Sequence, residues 1–158
     1  MTKLPFPLRA AYQQFFQEHF LPHQQHYELL AQEGQNPKTM VIACCDSRSG
    51  PETIFNCKPG ELFVIRNIAS QVPPFQPDGA YHGTSAALEY AVQALQIEHV
   101  VVLGHAHCGG IKQALSSHYE PLSSSDFIGG WLHLLDEQAE QLLTNKKLTP
   151  AERQTALE

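Results

Sequence analysis

The chain has 158 residues, 42% hydrophobic and 16% charged, with 10 Gly and 11 Pro. That suits one core of ordinary size, is too short for two comfortable domains, and rules out a disordered or collagen-like chain. Ten basic against sixteen acidic residues leave a net charge of −6, which repels phosphate backbones and gives anionic lipid no basic patch, so no nucleic-acid or membrane partner is expected.

Pro5 and Pro7 interrupt the N-terminus before any apolar stretch of signal-peptide length, which makes a reducing cytoplasm the expected location. From Leu8 to about Ala31 the aromatic and Leu positions among Gln and Glu predict two helical pieces separated by Pro22. After the turn at Gly34-Gln35-Asn36-Pro37, the run Met40 to Cys44 reads as a strand buried on both faces. Leu62 to Ile65 and Val100 to Leu103 read the same way, giving three core strands. Leu88, Ala91, Val92 and Leu95 recur at helical spacing between the second and third, so a crossover helix and parallel pairing follow. Asp126 and the serines before it cap a helix running through Leu142. Thr149-Pro150-Ala151-Glu152 is a capping box that opens a further helix, and residues 150–158 read as the start of a truncated one. The fold class is α/β: a mostly parallel central sheet flanked by helices, with a helical arm over residues 1–36.

Chemistry concentrates where two of these strands end. Side chains two apart on extended backbone point the same way, so Cys44, Asp46 and Arg48 share a face. Beyond the third strand, His105 and Cys108 stand three apart and can reach one ion across a turn. Open α/β sheets gather their sites at the carboxyl ends of parallel strands, so the two segments converge into a Cys2His zinc site whose fourth ligand is a carboxylate or water. Adjacent Cys44 and Cys45, with Cys108 in a His-rich segment, fit metal chemistry better than disulfides. Cys45 is expected to point into the sheet packing, and Cys57 to sit in a short structural helix. His82 and His107 are candidate proton relays, since imidazole titrates near neutral pH. Arg48 is expected to keep Asp46 ionised in a bidentate grip.

Over roughly residues 30 to 118 these motifs resemble the β-class carbonic anhydrases. The resemblance is carried by Cys44-x-Asp46-Ser47-Arg48, Pro59-Gly60-Glu61, Arg66-Asn67-Ile68-Ala69, the run His82 to Tyr90, and Gly104-His105-x-x-Cys108-Gly109-Gly110. It implies one zinc ion per chain on Cys44, His105 and Cys108, with Asp46 either ligating it or orienting its bound water and Arg48 as partner. It implies reversible hydration of carbon dioxide to bicarbonate by a zinc-bound hydroxide. The implied substrate pocket is Gln35, Phe63, Ile68, Tyr90 and the backbone of Gly109, with Gln35 supplied by a neighbouring subunit of a homodimer or higher homo-oligomer. Val41 stands where some bacterial members carry the Trp of a regulatory bicarbonate site, so the chain looks like the plant-like, constitutively open subtype. Ser70 and Ala106 replace the family's usual Asn and Ser. The C-terminal segment of the family is expected to be missing, leaving residues 1–158 as a single zinc-binding domain. Two rival functions are a carbon disulfide-type hydrolase on the same scaffold and a truncated, non-catalytic zinc-stabilised module.

Overall fold

In the computed structural model, which describes residues 4–77 and 82–158, α1 (Phe6–Phe15) has Pro7 in its first turn, where the missing N–H costs nothing. Helical hydrogen bonding then loosens into a π turn over Phe16–Phe20 and a 3-10 turn over Leu21–His23, around the N–H that Pro22 lacks. His23 leaves helical geometry (φ −117°, ψ 18°), and α2 (Gln24–Glu33) follows. This break brings Phe15 edge-on and Phe20 at a tilt to Tyr27, at ring distances of 6.3 and 5.2 Å. The two pieces of the arm thus share an aromatic cluster at the bend.

β1 (Thr39–Cys44) is buried from Met40 onward. After α3 (Pro51–Ile54), the chain turns at Gly60 (φ 90°), where a Cβ would come within 2.7 Å of a Leu30 methyl. That close approach requires glycine twice over, for its backbone conformation and for the space Leu30 occupies. β2 (Leu62–Asn67) runs into a 3-10 turn at Ile68–Ser70. The crossover helix is α4 (Gly83–Glu89), prolonged by a π turn over Tyr90–Ala94, and it leads to β3 (His99–Leu103).

Strand order is β2-β1-β3, with Thr39 opposite both Leu62 and His99 and all pairing parallel. The crossover therefore carries β3 past β1 to the far edge instead of beside β2. Ala91 packs on Met40 and Ile42, joined by Phe63, Ile65, Leu88 and Ile97. Of the three expected core strands, β1 is buried throughout, β2 is half-buried with Phe63 and Ile65 on the core, and β3 departs from the expectation. Val100, Val101 and Val102 are 47, 36 and 55% exposed, because an edge strand lacks a neighbour on one side and the described residues leave its faces thinly covered.

The rest of the chain covers the carboxyl end of the sheet. α5 (Gly109–Ala114) starts directly after Cys108. The long helix expected after Asp126 is α6 (Phe127–Leu132), a 3-10 turn at His133–Leu135, and α7 (Asp136–Thr144). Asp126 caps α6 by accepting the Gly129 N–H. The capping box of Thr149 and Glu152 is formed in both directions at the start of α8 (Pro150–Leu157). Leu157 and Leu135 close over Cys44, Cys108 and Ile111. No helix among the described residues is long and apolar enough to cross a membrane.

Candidate metal centre

β1 delivers Cys44 to the carboxyl end of the sheet, and β3 ends one strand away at Leu103. The connection from Gly104 to Cys108 is short because His107 adopts a left-handed conformation (φ 56°), which turns the chain back within five residues. His105 and Cys108 thereby meet Cys44, and the donor atoms of all three lie within 4.8 Å of one another. The two sulfurs are 3.9 Å apart. Two Zn–S bonds of about 2.3 Å at a tetrahedral angle require about 3.8 Å.

The His105 ring supports the same assignment. Its Nδ1 lies 3.1 Å from the Ala106 carbonyl, which can only accept, so the proton sits on Nδ1 and the lone pair on Nε2. Nε2 is buried without a hydrogen-bond partner, a costly arrangement unless a cation takes the lone pair. Burial opposes ionisation of Cys44, but hydrogen bonds with the Asp46 and Ala69 backbones and with Cys108 help to hold the thiol below its ordinary value. Burial, and then charge on Cys44, push Cys108 up. Cys44 is thus the more readily ionised of the two neighbouring thiols. A cavity of about 360 Å³ opens beside His105 and Cys108, with Ala69, Val102 and Leu157 in its walls.

Asp46 is held apart from this trio by Arg48. One carboxylate oxygen accepts the Arg48 backbone N–H and Nε at 2.9 Å each, and the other accepts an Arg48 terminal nitrogen at 2.8 Å. Arg48 holds the Asp46 carboxyl well below the usual carboxylate range. The same guanidinium reaches the His107 carbonyl at 3.2 Å, tying the Cys44 loop to the His105 loop.

Of the expected pocket residues, Ile68 and Gly109 stand at this end of the sheet. Ile68 follows the residue paired with Cys44, and its methyl would meet a Cβ on Gly110 at 2.8 Å, so the helix carrying Gly109 packs directly on it. Gln35, Phe63 and Tyr90 are elsewhere. Phe63 pairs with Met40, four residues before the level of Cys44, or about 13 Å along the strands. The Tyr90 ring is 5.9 Å from that of Phe63. Gln35 precedes β1 and is exposed. Within one chain the three lie at the opposite end of the sheet from Cys44, His105 and Cys108.

Two cysteine expectations are corrected. Cys45 is exposed, because β1 ends at Cys44 and the face opposite it opens into a cavity bounded by Ile65, His82 and Trp131. Cys57 lies beyond α3, which ends at Ile54, with its N–H on the Glu52 carbonyl. His107 contributes its backbone carbonyl to Arg48.

Sequence reading assigned no role to the groups that brace the ligand loop. Arg66 donates from Nε to the Cys44 carbonyl at 2.8 Å and from a terminal nitrogen to the Asp46 carbonyl at 2.6 Å. The buried Ser49 hydroxyl sits within hydrogen-bonding distance of the same two carbonyls. Glu158 accepts the Cys108 N–H at 2.9 Å, and the Trp131 indole donates to the Ile68 carbonyl. Only Arg66, inside the Arg66-Asn67-Ile68-Ala69 motif, carried a signal.

Residues 39–158 match a family model described as carbonic anhydrase. The chain is 44% identical over 108 residues to beta carbonic anhydrase 5, chloroplastic, of Arabidopsis thaliana, covering 68% of this chain and 35% of that protein. The solved structure of the β-carbonic anhydrase CcaA superimposes with a TM-score of 0.84 at 32% identity, over 96% of this chain and 66% of that one. One of two tetrameric β-carbonic anhydrases from the ascomycete Sordaria macrospora does so with a TM-score of 0.66 at 34% identity, over 96% and 70%. The chain thus spans about a third of the plant relative and just under two thirds of CcaA.

Proposed function

Since this chain belongs to the β-class carbonic anhydrase family, we propose that it catalyses the reversible hydration of carbon dioxide to bicarbonate, with one zinc ion per chain on Cys44, His105 and Cys108. The observation that carries the reading is the buried, unpartnered Nε2 of His105 beside two sulfurs at tetrahedral spacing. Zinc in such a site supplies Lewis-acid polarisation and a water made acidic enough to act as nucleophile near neutral pH.

The protein's own groups do the rest. An ionised carboxylate can only accept hydrogen bonds, so Asp46 selects an oxygen that presents a hydrogen and turns that oxygen's lone pair toward the substrate. Arg48 keeps Asp46 ionised and occupies both its oxygens, which favours the open subtype, with Asp46 orienting instead of ligating. Ile68 gives carbon dioxide an apolar wall, and a Cβ on Gly109 would meet nothing within 4 Å, so that position leaves room.

Gln35, Phe63 and Tyr90 complete a pocket in a neighbouring subunit on this reading, because their own chain keeps them a sheet-length from its metal ligands. A homodimer or larger assembly follows, and the tetrameric Sordaria relatives support it. Residues 1–158 act as one zinc-binding domain, and four free cysteines fit a reducing compartment such as the cytoplasm.

Stopped-flow hydration with zinc content measured alongside tests the proposal. Turnover should scale with zinc. Stoichiometric zinc without hydration would refute it, as would release of sulfide from carbon disulfide in place of carbon dioxide turnover.

A further inference from the structure

The connection that carries His105 and Cys108 is gripped at both ends by one residue of α8. Glu158 Oε1 accepts the Cys108 N–H at 2.9 Å. A backbone oxygen of Glu158 lies so close over Gly104 that any Cβ there would collide with it. Gly104 opens the connection and Cys108 closes it, so Glu158 spans the loop from its first residue to its last.

The surrounding helix fixes Glu158 in that place. The capping box of Thr149 and Glu152 sets where α8 starts, and Leu157 packs on the cluster of Cys44, Cys108 and Ile111. One turn before Glu158, the Gln154 amide donates to the same Oε1 at 2.7 Å. A carboxylate at the C-terminal end of a helix faces the negative end of the helix dipole and is disfavoured there, so these two donors offset a real cost. Cys108 gains as much from the contact, because it is buried and its N–H would otherwise be a stranded donor. Its carbonyl accepts the Lys112 N–H at 3.0 Å, so the residue is tied to α5 on one side and to α8 on the other.

We propose that Glu158 is a positioning residue for the metal centre: by holding the Cys108 backbone and closing over Gly104, it sets the span of the loop and keeps Cys108 and His105 at ligand distance from Cys44. The proposal rests on the reading of that trio as the zinc site. Glu158 acts through the Cys108 backbone and contributes no ligand atom. It does for the His105 loop what Arg66 does for the Cys44 loop, with a carboxylate on an N–H in place of a guanidinium on carbonyls.

Zinc affinity by chelator competition, together with the absorption spectrum of the cobalt-substituted protein, tests this in wild type, Glu158→Ala and Glu158→Gln. Thiolate-to-cobalt charge-transfer bands follow the geometry of the sulfur ligands, and a mere loss of global stability leaves them in place. Glu158→Ala should bind zinc about 10–100-fold more weakly, the range for losing a group that orients a ligand, and should shift those bands. Glu158→Gln, whose amide oxygen still accepts the Cys108 N–H, should recover most of the affinity and the wild-type spectrum. An Ala variant with wild-type affinity would overturn the proposal. So would weakened binding with unshifted bands, or a Gln variant that falls as far as Ala. Hydration is not among these readouts, so a failure of the proposed reaction shows separately, as zinc-loaded wild type without turnover; wild type that takes up no zinc overturns both.

Discussion

Replacing Arg66 by Met keeps most of the side chain's length and removes two charged donors from the loop that holds Cys44 and Asp46. The lost hydrogen bonds are those to the Cys44 carbonyl at 2.8 Å and the Asp46 carbonyl at 2.6 Å. A hydrogen bond from a charged group contributes about 1.5–3 kcal/mol, so the two set an upper bound of about 3–6 kcal/mol. Two facts reduce it. The Ser49 hydroxyl reaches both carbonyls, so neither is orphaned. Arg66 is exposed, so its guanidinium would recover water in an unfolded or loosened loop. A net cost of about 1–3 kcal/mol remains, and at about 2–4 °C per kcal/mol for a domain of this size the melting midpoint should fall by about 2–12 °C. Because the clamp acts on the backbone of Cys44, a proposed zinc ligand, zinc affinity should fall about 10–100-fold, the usual effect of losing a group that orients ligands. Chelator competition reads that loss directly, and Arg66→Lys, which can reach one carbonyl, should recover part of it. An Arg66→Met protein that binds zinc as tightly as wild type, melting where wild type melts, would refute the reasoning.

Cys44→Ser and Cys108→Ser should each lose stoichiometric zinc from the Cys2His site while Cys45→Ser keeps it, as elemental analysis of the purified variants would establish. The Asp46 carboxyl, depressed by Arg48, contributes stability that is present above its unfolded value of about 3.9 and lost as pH falls through the lower folded value. Arg48→Ala returns Asp46 toward that ordinary value, so the acid-unfolding midpoint should move to higher pH, and an unmoved midpoint would count against the pairing. Gly110→Ala would set a Cβ 2.8 Å from the Ile68 methyl and 3.1 Å from Ala69. It should cost about 1–3 kcal/mol in denaturant titrations, as overpacking does, and should weaken zinc binding by shifting α5.

Features that depend on near neighbours in the chain were readable from the sequence. Cys44, Asp46 and Arg48 repeat with period two at a strand end, and His105-x-x-Cys108 spans one turn, so backbone geometry alone pairs each set. Continuous burial of β1 was legible because a strand covered on both faces has no polar side to show. β3 shows the limit of that rule: Val100 to Leu103 has the same apolar pattern, yet it lies at an exposed edge, since a side chain's apolarity does not say which strand stands beside it. Strand order made β1 the centre, and this one topological fact brought Cys44 and Cys108, 64 residues apart, to 3.9 Å. The parallel register puts Phe63, and Tyr90 with it, at the opposite end of the sheet from Cys44 and Cys108. The exposure of Cys45, the Arg66 clamp on two carbonyls and the bare nitrogen of His105 were likewise decided by the tertiary structure. Each depends on a segment at least 20 residues away, or on the absence of one, and periodicity along the chain carries no record of such distances.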